Sequence, residues 1–377
     1  MTRTEQLLRD LIALPSVNPA FIPAADPRAG EQRVAEFLAC VAAAGGLEVE
    51  FQEVLPGRSN LLARLTPAGK VRQRILLAPH MDTVGVTTDD QFDPRFQKGR
   101  LYGRGACDTK GSIAVYLTAL LELAASKTRP LSTEIVLAAL IDEENGQSGS
   151  RHLARSRFKA DLAIVGEPTG LQIVTAHKGD LWLQLETHGK AAHGSRPELG
   201  CNAVHQMARI VDLLEMDYAR LLRRRKHPLL RHPTINVGTI SGGRQPNIVP
   251  DQCAIRIDRR TIPGEEDSAV KREILTFIQS HGLSVRLSDT KRYEPAPPME
   301  TDIRRPLVRQ LLQAAAQSKP AGVDFFTDAG VLASAGIPCV VFGPGDIAQA
   351  HTNDEWVSTR QLETGTRILR RFFDTLP

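Results

Sequence analysis

Histidine and carboxylate side chains follow four short apolar runs of the sequence, at the points where buried strands would end. In chain order they are His80, Asp82, Asp142, Glu143, Glu144, Glu167 and His351. A further carboxylate, Asp108, lies in the glycine-rich segment 103–111. In an open α/β sheet, groups beyond the carboxyl ends of the strands gather at one edge. Such a cluster repels itself unless it binds cations, and zinc accepts this mixture of histidine and carboxylate ligands. The pattern therefore predicts a metal site.

The spacing within two of these groups assigns separate tasks. Residues two apart near a strand end point to the same side, so Asp82 can accept the second ring proton of His80 and fix its tautomer. The adjacent Glu143 and Glu144 point in different directions, which suits one to bind metal and the other to act on a water. Two metal ions about 3.5–4 Å apart, bridged by a carboxylate, would lower the pKa of a shared water and polarise a scissile carbonyl. Glu143 would then be the general base.

The four apolar runs must supply the strands that position these side chains. Each run is apolar on both faces, as in a largely parallel sheet covered by helices, and stretches of helical spacing alternate with the runs. The runs occupy 75–78, 135–141, 162–165 and 339–342. The sequence therefore predicts an α/β domain with a largely parallel sheet.

A change of pattern between Asp180 and Leu287 indicates a second domain, as the length of 377 residues already favours. Strand candidates over 181–187 and 253–258 alternate polar and apolar residues, which is typical of a sheet with one solvent-exposed face. Because the buried-strand pattern returns only near Cys339, we predict a smaller α+β domain inserted into the α/β domain. The predicted ranges are 1–178 and 294–377 for the catalytic domain and 179–293 for the insertion.

The composition argues against several other classes of protein. Basic residues exceed acidic ones by only 47 to 43 and are scattered along the chain, so no nucleic-acid partner is expected. The one basic run, 223–226, follows apolar residues at helical spacing and is predicted to be a solvated helix end. The sequence contains no run of about 18 apolar residues, which is the length needed to span a membrane. The five cysteines are widely separated and form no C-x-x-C pair, which indicates a reducing compartment. We therefore expect a cytoplasmic protein without a membrane partner.

Five motifs, taken together and in their order along the chain, resemble those of the M20 metallopeptidases. That family includes acetylornithine deacetylase, succinyl-diaminopimelate desuccinylase, aminoacylase-1 and glutamate carboxypeptidase. The motifs are PHMDTV (79–84), GRGACDTKG (103–111), DEE (142–144), VGEPT (165–169) and AHT (350–352). The resemblance covers nearly the whole chain. It implies a hydrolase that cleaves an amide bond in a small, carboxylate-bearing substrate.

The resemblance also implies two divalent metal ions, zinc or cobalt, and assigns their ligands. Asp108 matches the carboxylate that bridges the two ions. His80 and Glu167 complete one metal site, and Glu144 and His351 complete the other.

Further catalytic features follow from the same resemblance. Glu143 matches the family's general base, and Asp82 matches the residue that holds His80. The family also places a cis peptide bond after the bridging aspartate, which here joins Asp108 to Thr109.

The inserted region is similar to the family's lid and dimerisation domain, which implies a homodimer. His193 matches a histidine that reaches the partner subunit's active site and stabilises the tetrahedral oxyanion. Asn247 matches a lid asparagine that contacts the substrate. Arg260 matches the arginine that grips the substrate carboxylate, a task that suits its planar fork, and Arg259 is the neighbouring alternative.

Segment 325–330, with the sequence FFTDAG, departs from the Gly-Thr-Glu pattern of the deacetylases and the Ser-Asp-Gly pattern of the desuccinylases. Its Asp328 is expected to support a pocket wall, because both metal sites already have their ligands. Three functions stay open: deacylation of an N-acyl-amino acid, peptide-bond cleavage by a dipeptidase or carboxypeptidase, and a non-catalytic binding role. The third would be marked by a missing ligand or base, and none is missing.

Overall fold

A computed structural model describes residues 1–23, 25–289 and 294–377, which form two compact units. The first unit comprises Met1–Thr175, Glu300–Gly322 and Thr327–Pro377, and the second comprises Ala176–Met299 and Val323–Phe326. The insertion predicted over 179–293 falls inside the second unit, although its end at 293 lies outside the described residues. The second unit also takes in Val323–Phe326, a return segment that no sequence pattern indicated.

The α-helices of the described residues are α1 Arg3–Ile12, α2 Gln32–Ala44, α3 Lys110–Ala125, α4 Ser148–Arg155, α5 Ala203–Asp212, α6 Ala219–Leu222, α7 Asp267–Ser280, α8 Pro306–Ala314, α9 Asp328–Ser334 and α10 Thr359–Phe373. Local chemistry fixes the start of α1, where Thr2 and Glu5 form a capping box through each other's backbone N–H groups. Among these helices, none combines the length and the apolar character needed to cross a membrane.

The strands of the described residues are β1 Glu48–Leu55, β2 Arg58–Leu65, β3 Gln73–Pro79, β4 Arg95–Gln97, β5 Arg100–Tyr102, β6 Thr133–Ala139, β7 Leu162–Gly166, β8 Val174–His177, β9 Gly179–His188, β10 Thr234–Gly242, β11 Gln252–Thr261, β12 Arg286–Asp289, β13 Met299–Glu300, β14 Ala321–Val323, β15 Cys339–Phe342 and β16 Trp356–Ser358. They form a nine-stranded sheet, a four-stranded sheet and a three-stranded sheet of order β16-β5-β4.

The four apolar runs form neighbouring strands of the nine-stranded sheet, so the predicted α/β domain is confirmed. The order is β1-β2-β6-β3-β7-β15-β8-β13, and β14 pairs with β8. The pairs β6–β3, β3–β7 and β7–β15 are parallel. In β3, the consecutive residues Ile75 and Leu76 point to opposite faces of the sheet and are both fully buried, so both faces are covered. Because these four strands run in one direction, their carboxyl ends meet at one edge.

Helix α3 packs against α1 and α10 and is buried over nearly its whole length. The Tyr116 hydroxyl donates to the backbone oxygen of Phe342 at 2.5 Å and lies 3.3 Å from that of Val165. These oxygens belong to β15 and β7, so Tyr116 fastens the helix that follows Asp108 to the two strands that lead to Glu167 and His351.

The second unit contains the four-stranded sheet, which is antiparallel throughout and has the order β10-β11-β9-β12. Along β9, Leu181 and Leu183 are buried while Trp182 is 41% exposed, which confirms the alternation read from the sequence. The basic run that follows α6 is mostly exposed, as predicted, and its one half-buried member, Arg225, forms ion pairs with Glu265 and Glu273.

Candidate metal centre

The carboxyl edge of the parallel strands positions the predicted ligands. His80 directly follows β3 and bridges to Leu140 beyond β6, and Glu167 directly follows β7. Asp108 immediately precedes the cis peptide bond to Thr109, at the start of α3, as the family resemblance implied. His351 lies in the loop after β15. The topology thus brings residues that are far apart in sequence to one place.

Two groups of donor atoms meet at Asp108. Its Oδ1 is 3.1 Å from His80 Nε2, which is 3.9 Å from Glu167 Oε1. Its Oδ2 is 3.2 Å from His351 Nε2, which is 3.2 Å from Glu144 Oε2. Within each group of three residues, all the ligand atoms lie within 4.8 Å of one another. Asp108 therefore presents one oxygen to each group.

The donor set fits a pair of divalent cations. Glu144 Oε1 is buried and has no hydrogen-bond partner, although buried polar atoms are nearly always paired. Burial, reinforced by the Glu167 carboxylate, raises the pKa of Glu143 well above its usual range. Burial and the Asp108 carboxylate act in the same way on the pKa of Glu167. A cation in each group would relieve this repulsion, and imidazole with carboxylate is a set that zinc and cobalt both accept.

The two histidines of the cluster hold protons that bound cations would displace. Burial raises the pKa of Asp108, but hydrogen bonds from His351 and His80 outweigh it and hold that pKa below its usual range. Burial lowers the pKa of His80, yet hydrogen bonds to Asp108 and Asp82 raise it overall. Hydrogen bonds to Asp108 and Glu144 raise the pKa of His351 to about 10. Metal ligation requires neutral histidines, so binding of cations releases these protons.

Asp82 holds both His80 and the loop that carries the two adjacent glutamates. His80 Nδ1 is 3.0 Å from the Asp82 backbone oxygen and 3.5 Å from Asp82 Oδ1, so the carbonyl is the nearer acceptor and the predicted carboxylate the farther one. The Asp82 carboxylate instead accepts the backbone N–H groups of Glu143 and Glu144, each at 3.1 Å. Asp82 thereby fixes the backbone at Glu143 and Glu144 as well as the ring of His80.

A buried network behind Asp82 was not predicted from the sequence. Asn18 Nδ2 donates to Asp82 at 2.8 Å and to Asp142 at 2.9 Å, so one amide separates two buried carboxylates. Glu31 accepts a two-pronged hydrogen bond from Arg58 and also accepts the Asp142 backbone N–H. Asp142 has a left-handed backbone with φ of 66°, which these contacts stabilise. Asn18 is a single polar residue beside Pro19, and no local sequence pattern marks this role.

The two predicted lid residues lie together in the second unit. His193 forms an isolated bridge with Ile248, and the Gly194 N–H donates to the Asn247 backbone oxygen at 2.7 Å. A side chain at Gly194 would come within 3.0 Å of the Asn247 backbone, so this close approach requires glycine. His193 is exposed, and its Nδ1 lies 2.7 Å from Ser195 Oγ.

The structure also separates the two neighbouring arginines of β11. Arg259 is fully buried and pairs with Glu265. Arg260 keeps a 26% exposed side chain and is the better candidate to meet a substrate. Its guanidinium already makes two 2.9 Å hydrogen bonds to Asp258 and lies 3.6 Å from Asp180. A substrate carboxylate would therefore compete with Asp258.

Asp328 is buried at the start of α9 and is not among the donor groups. Its Oδ1 accepts the Ser150 hydroxyl at 2.5 Å, and its Oδ2 has no hydrogen-bond partner. Burial raises its pKa to about 6. Asp328 thus lies outside both donor groups, and its role in a pocket wall stays a prediction.

Comparison with known proteins identifies the family. The family model described as peptidase family M20/M25/M40 matches residues 76–375. The chain is 32% identical to acetylornithine deacetylase of Proteus mirabilis, over 98% of this chain and 95% of that protein. It is 34% identical to acetylornithine deacetylase of Edwardsiella ictaluri, over 94% of this chain and 92% of that protein.

Solved structures show the same fold. A tripeptidase from Staphylococcus aureus superposes with a TM-score of 0.79 at 19% identity, covering 99% of this chain and 97% of that one. A dinuclear metal-binding peptidase of family M20 from Bacillus subtilis superposes with a TM-score of 0.71 at 13% identity, covering 99% of this chain and 97% of that one. With the family-model match and these relatives, the chain belongs to peptidase family M20/M25/M40 and is a hydrolase that acts on amide bonds.

Proposed function

We propose that this protein is a two-metal amidohydrolase that removes the acyl group from an N-acyl-amino acid. The observation that carries the proposal is Asp108, whose two carboxylate oxygens each face a separate group of histidine and carboxylate donors. Curated relatives named acetylornithine deacetylase, similar over nearly the full length of the chain, support the substrate class. Zinc is the proposed metal, with cobalt as a substitute.

The chain's own residues would divide the reaction between them. When bound, the metal ions would acidify a water and polarise the substrate carbonyl. Glu143 takes a proton from that water as its oxygen bonds to the carbonyl carbon, and gives the proton to the amide nitrogen as the C–N bond breaks. Burial raises the pKa of Glu143, and cations in the two donor groups would relieve the part of this shift that comes from the Glu167 carboxylate, so that Glu143 could both accept the proton and return it. Asp82 keeps Glu143 in place through the backbone N–H of that residue.

We further propose roles in substrate binding and oxyanion stabilisation for three residues of the second unit. In this proposal the chain acts as a homodimer, in which His193 serves the partner subunit's active site as an oxyanion donor. Asn247, held beside His193 by backbone contacts, contacts the substrate. Arg260 binds the substrate carboxylate when that carboxylate displaces Asp258 from the guanidinium group. The five cysteines without a C-x-x-C pair support a cytoplasmic location.

A substrate panel tests the acyl-amino-acid assignment. We expect N-acetylornithine and other N-acetyl-amino acids to release acetate with kcat/KM at least tenfold above that for dipeptides and tripeptides. Free amine and acetate are measured in parallel on the zinc-loaded protein. Turnover of peptides with no release from the acyl-amino acids would instead assign the protein as a peptidase, the activity named for several proteins of the same fold.

Replacing Glu143 tests the general base. E143Q should lower kcat by about 10²–10⁴-fold, because an amide cannot relay the proton. Metal content should stay at the wild-type level, because Glu143 belongs to neither donor group. E363Q is the matched control, since Glu363 is exposed on α10 and should keep full activity. A kcat for E143Q within tenfold of wild type would refute the role.

The competition at Arg260 gives a two-sided test. R260M should raise KM for carboxylate substrates by about 10-fold or more while changing kcat little, because a charged hydrogen bond is lost in the ground state and transition state alike. D258N should lower KM, because it frees the guanidinium. R256M controls for loss of positive charge, as Arg256 is exposed on the same strand. Unchanged KM in both R260M and D258N would remove Arg260 from the substrate site.

A further inference from the structure

A buried carboxylate outside both donor groups holds the loop that carries Asp108. Glu355 is 1% exposed, and each of its oxygens accepts two hydrogen bonds. Oε1 accepts the backbone N–H groups of Cys107 at 2.8 Å and Asp108 at 3.0 Å. Oε2 accepts the Gly105 N–H at 2.9 Å and Arg104 Nη1 at 2.7 Å. The carboxylate is thus fully satisfied, and all four donors come from one loop.

Glu355 also belongs to the segment that carries His351. The backbone oxygen of Glu355 accepts the Gly103 N–H at 3.0 Å, so main chain and side chain bind the same loop. Two residues earlier, the Asn353 backbone oxygen accepts from Gln91 at 3.0 Å. His351 itself has a left-handed backbone with φ of 61° and a side chain that is 54% exposed, so packing of its ring does little to fix its position.

The chemistry of these contacts requires a carboxylate. Both oxygens act only as acceptors, and each faces two donors. A glutamine of the same shape has one acceptor oxygen, and its NH₂ group would face two N–H donors. The buried Glu355 charge can be accommodated only while these hydrogen bonds are complete, because an unsatisfied buried charge is costly. The loop around Asp108 and the segment after His351 are therefore locked together as long as Glu355 is present.

We propose that Glu355 is a positioning residue for the metal centre, which sets the distance between Asp108 and His351. This inference rests on the proposed two-metal function. The group of Asp108, Glu144 and His351 depends on Glu355 for two of its three ligands, whereas the group of His80, Asp108 and Glu167 depends on it for one. Loss of the carboxylate should therefore weaken the His351 site more than the His80 site.

Cobalt(II) titration of the metal-free full chain, followed by visible absorption, tests the proposal. Wild type is expected to bind two ions, and the H351A variant identifies the step that belongs to the His351 site. In E355Q that step should weaken at least tenfold, with a changed absorption band, while the other step changes less. E363Q should match wild type. H351A should lower the cobalt affinity less in the E355Q background than in wild type, because both changes disturb the same metal site.

The outcomes separate the two proposals. Binding of fewer than two ions by wild type would contradict the two-metal centre itself. Two ions in wild type, with equal affinities in folded E355Q or strictly additive effects of E355Q and H351A, would overturn the role of Glu355. If E355Q does not fold, E355D keeps the charge but withdraws it by one methylene group. Wild-type affinity of the His351 site in E355D would equally overturn the proposal.

Discussion

Mutual repulsion of buried carboxylates is the constraint on which the site depends. Asp108, Glu144 and Glu167 converge on two histidines, and burial together with the Glu167 charge raises the pKa of the neighbouring Glu143. The side chains of these carboxylates are almost fully buried, so their repulsion is only weakly screened. Cations in the two donor groups would neutralise the cluster. Contacts within the first unit hold these groups close together in spite of their repulsion.

Carboxylates that bind no metal supply much of this support. Asp82 and Glu355 both accept backbone N–H groups of loops that carry ligands, and each does so while completely buried. Asn18 separates the Asp82 charge from that of Asp142. Tyr116 fixes α3 to the neighbouring strands. The ligands are therefore positioned by hydrogen bonds between loops as much as by the strands that they follow.

The sequence predicted the strands and site residues that are marked by a local pattern or motif. Apolar runs of strand length located β3, β6, β7 and β15, and the candidate ligands His80 and Glu167 directly follow β3 and β7. Alternation predicted the sheet of the second unit. The motifs supplied Asp108, whose placement before a helix has no strand signal of its own. Residue types and spacing were sufficient for the side chains that directly follow parallel strands, because the carboxyl ends of those strands meet at one edge.

Contacts between distant segments left no such pattern. Glu355 lies 247 positions from Asp108, and Asn18 lies 124 positions from Asp142, so neither role has a local signature. Each is a single polar residue in a loop, where solvated side chains are the common case. The pairing of Arg260 with Asp258 was missed for a different reason. Residues two apart on a strand share one face, but the pattern does not tell whether an arginine meets its neighbour or a substrate.

The most direct test of the bridging role of Asp108 is anomalous X-ray scattering at the zinc edge from crystals of the zinc-loaded protein. Two peaks about 3.5–4 Å apart are expected. One should lie on His80, Asp108 and Glu167, and the other on Asp108, Glu144 and His351. A single ion at full zinc loading, or a second ion bound away from Asp108, would contradict the two-metal centre.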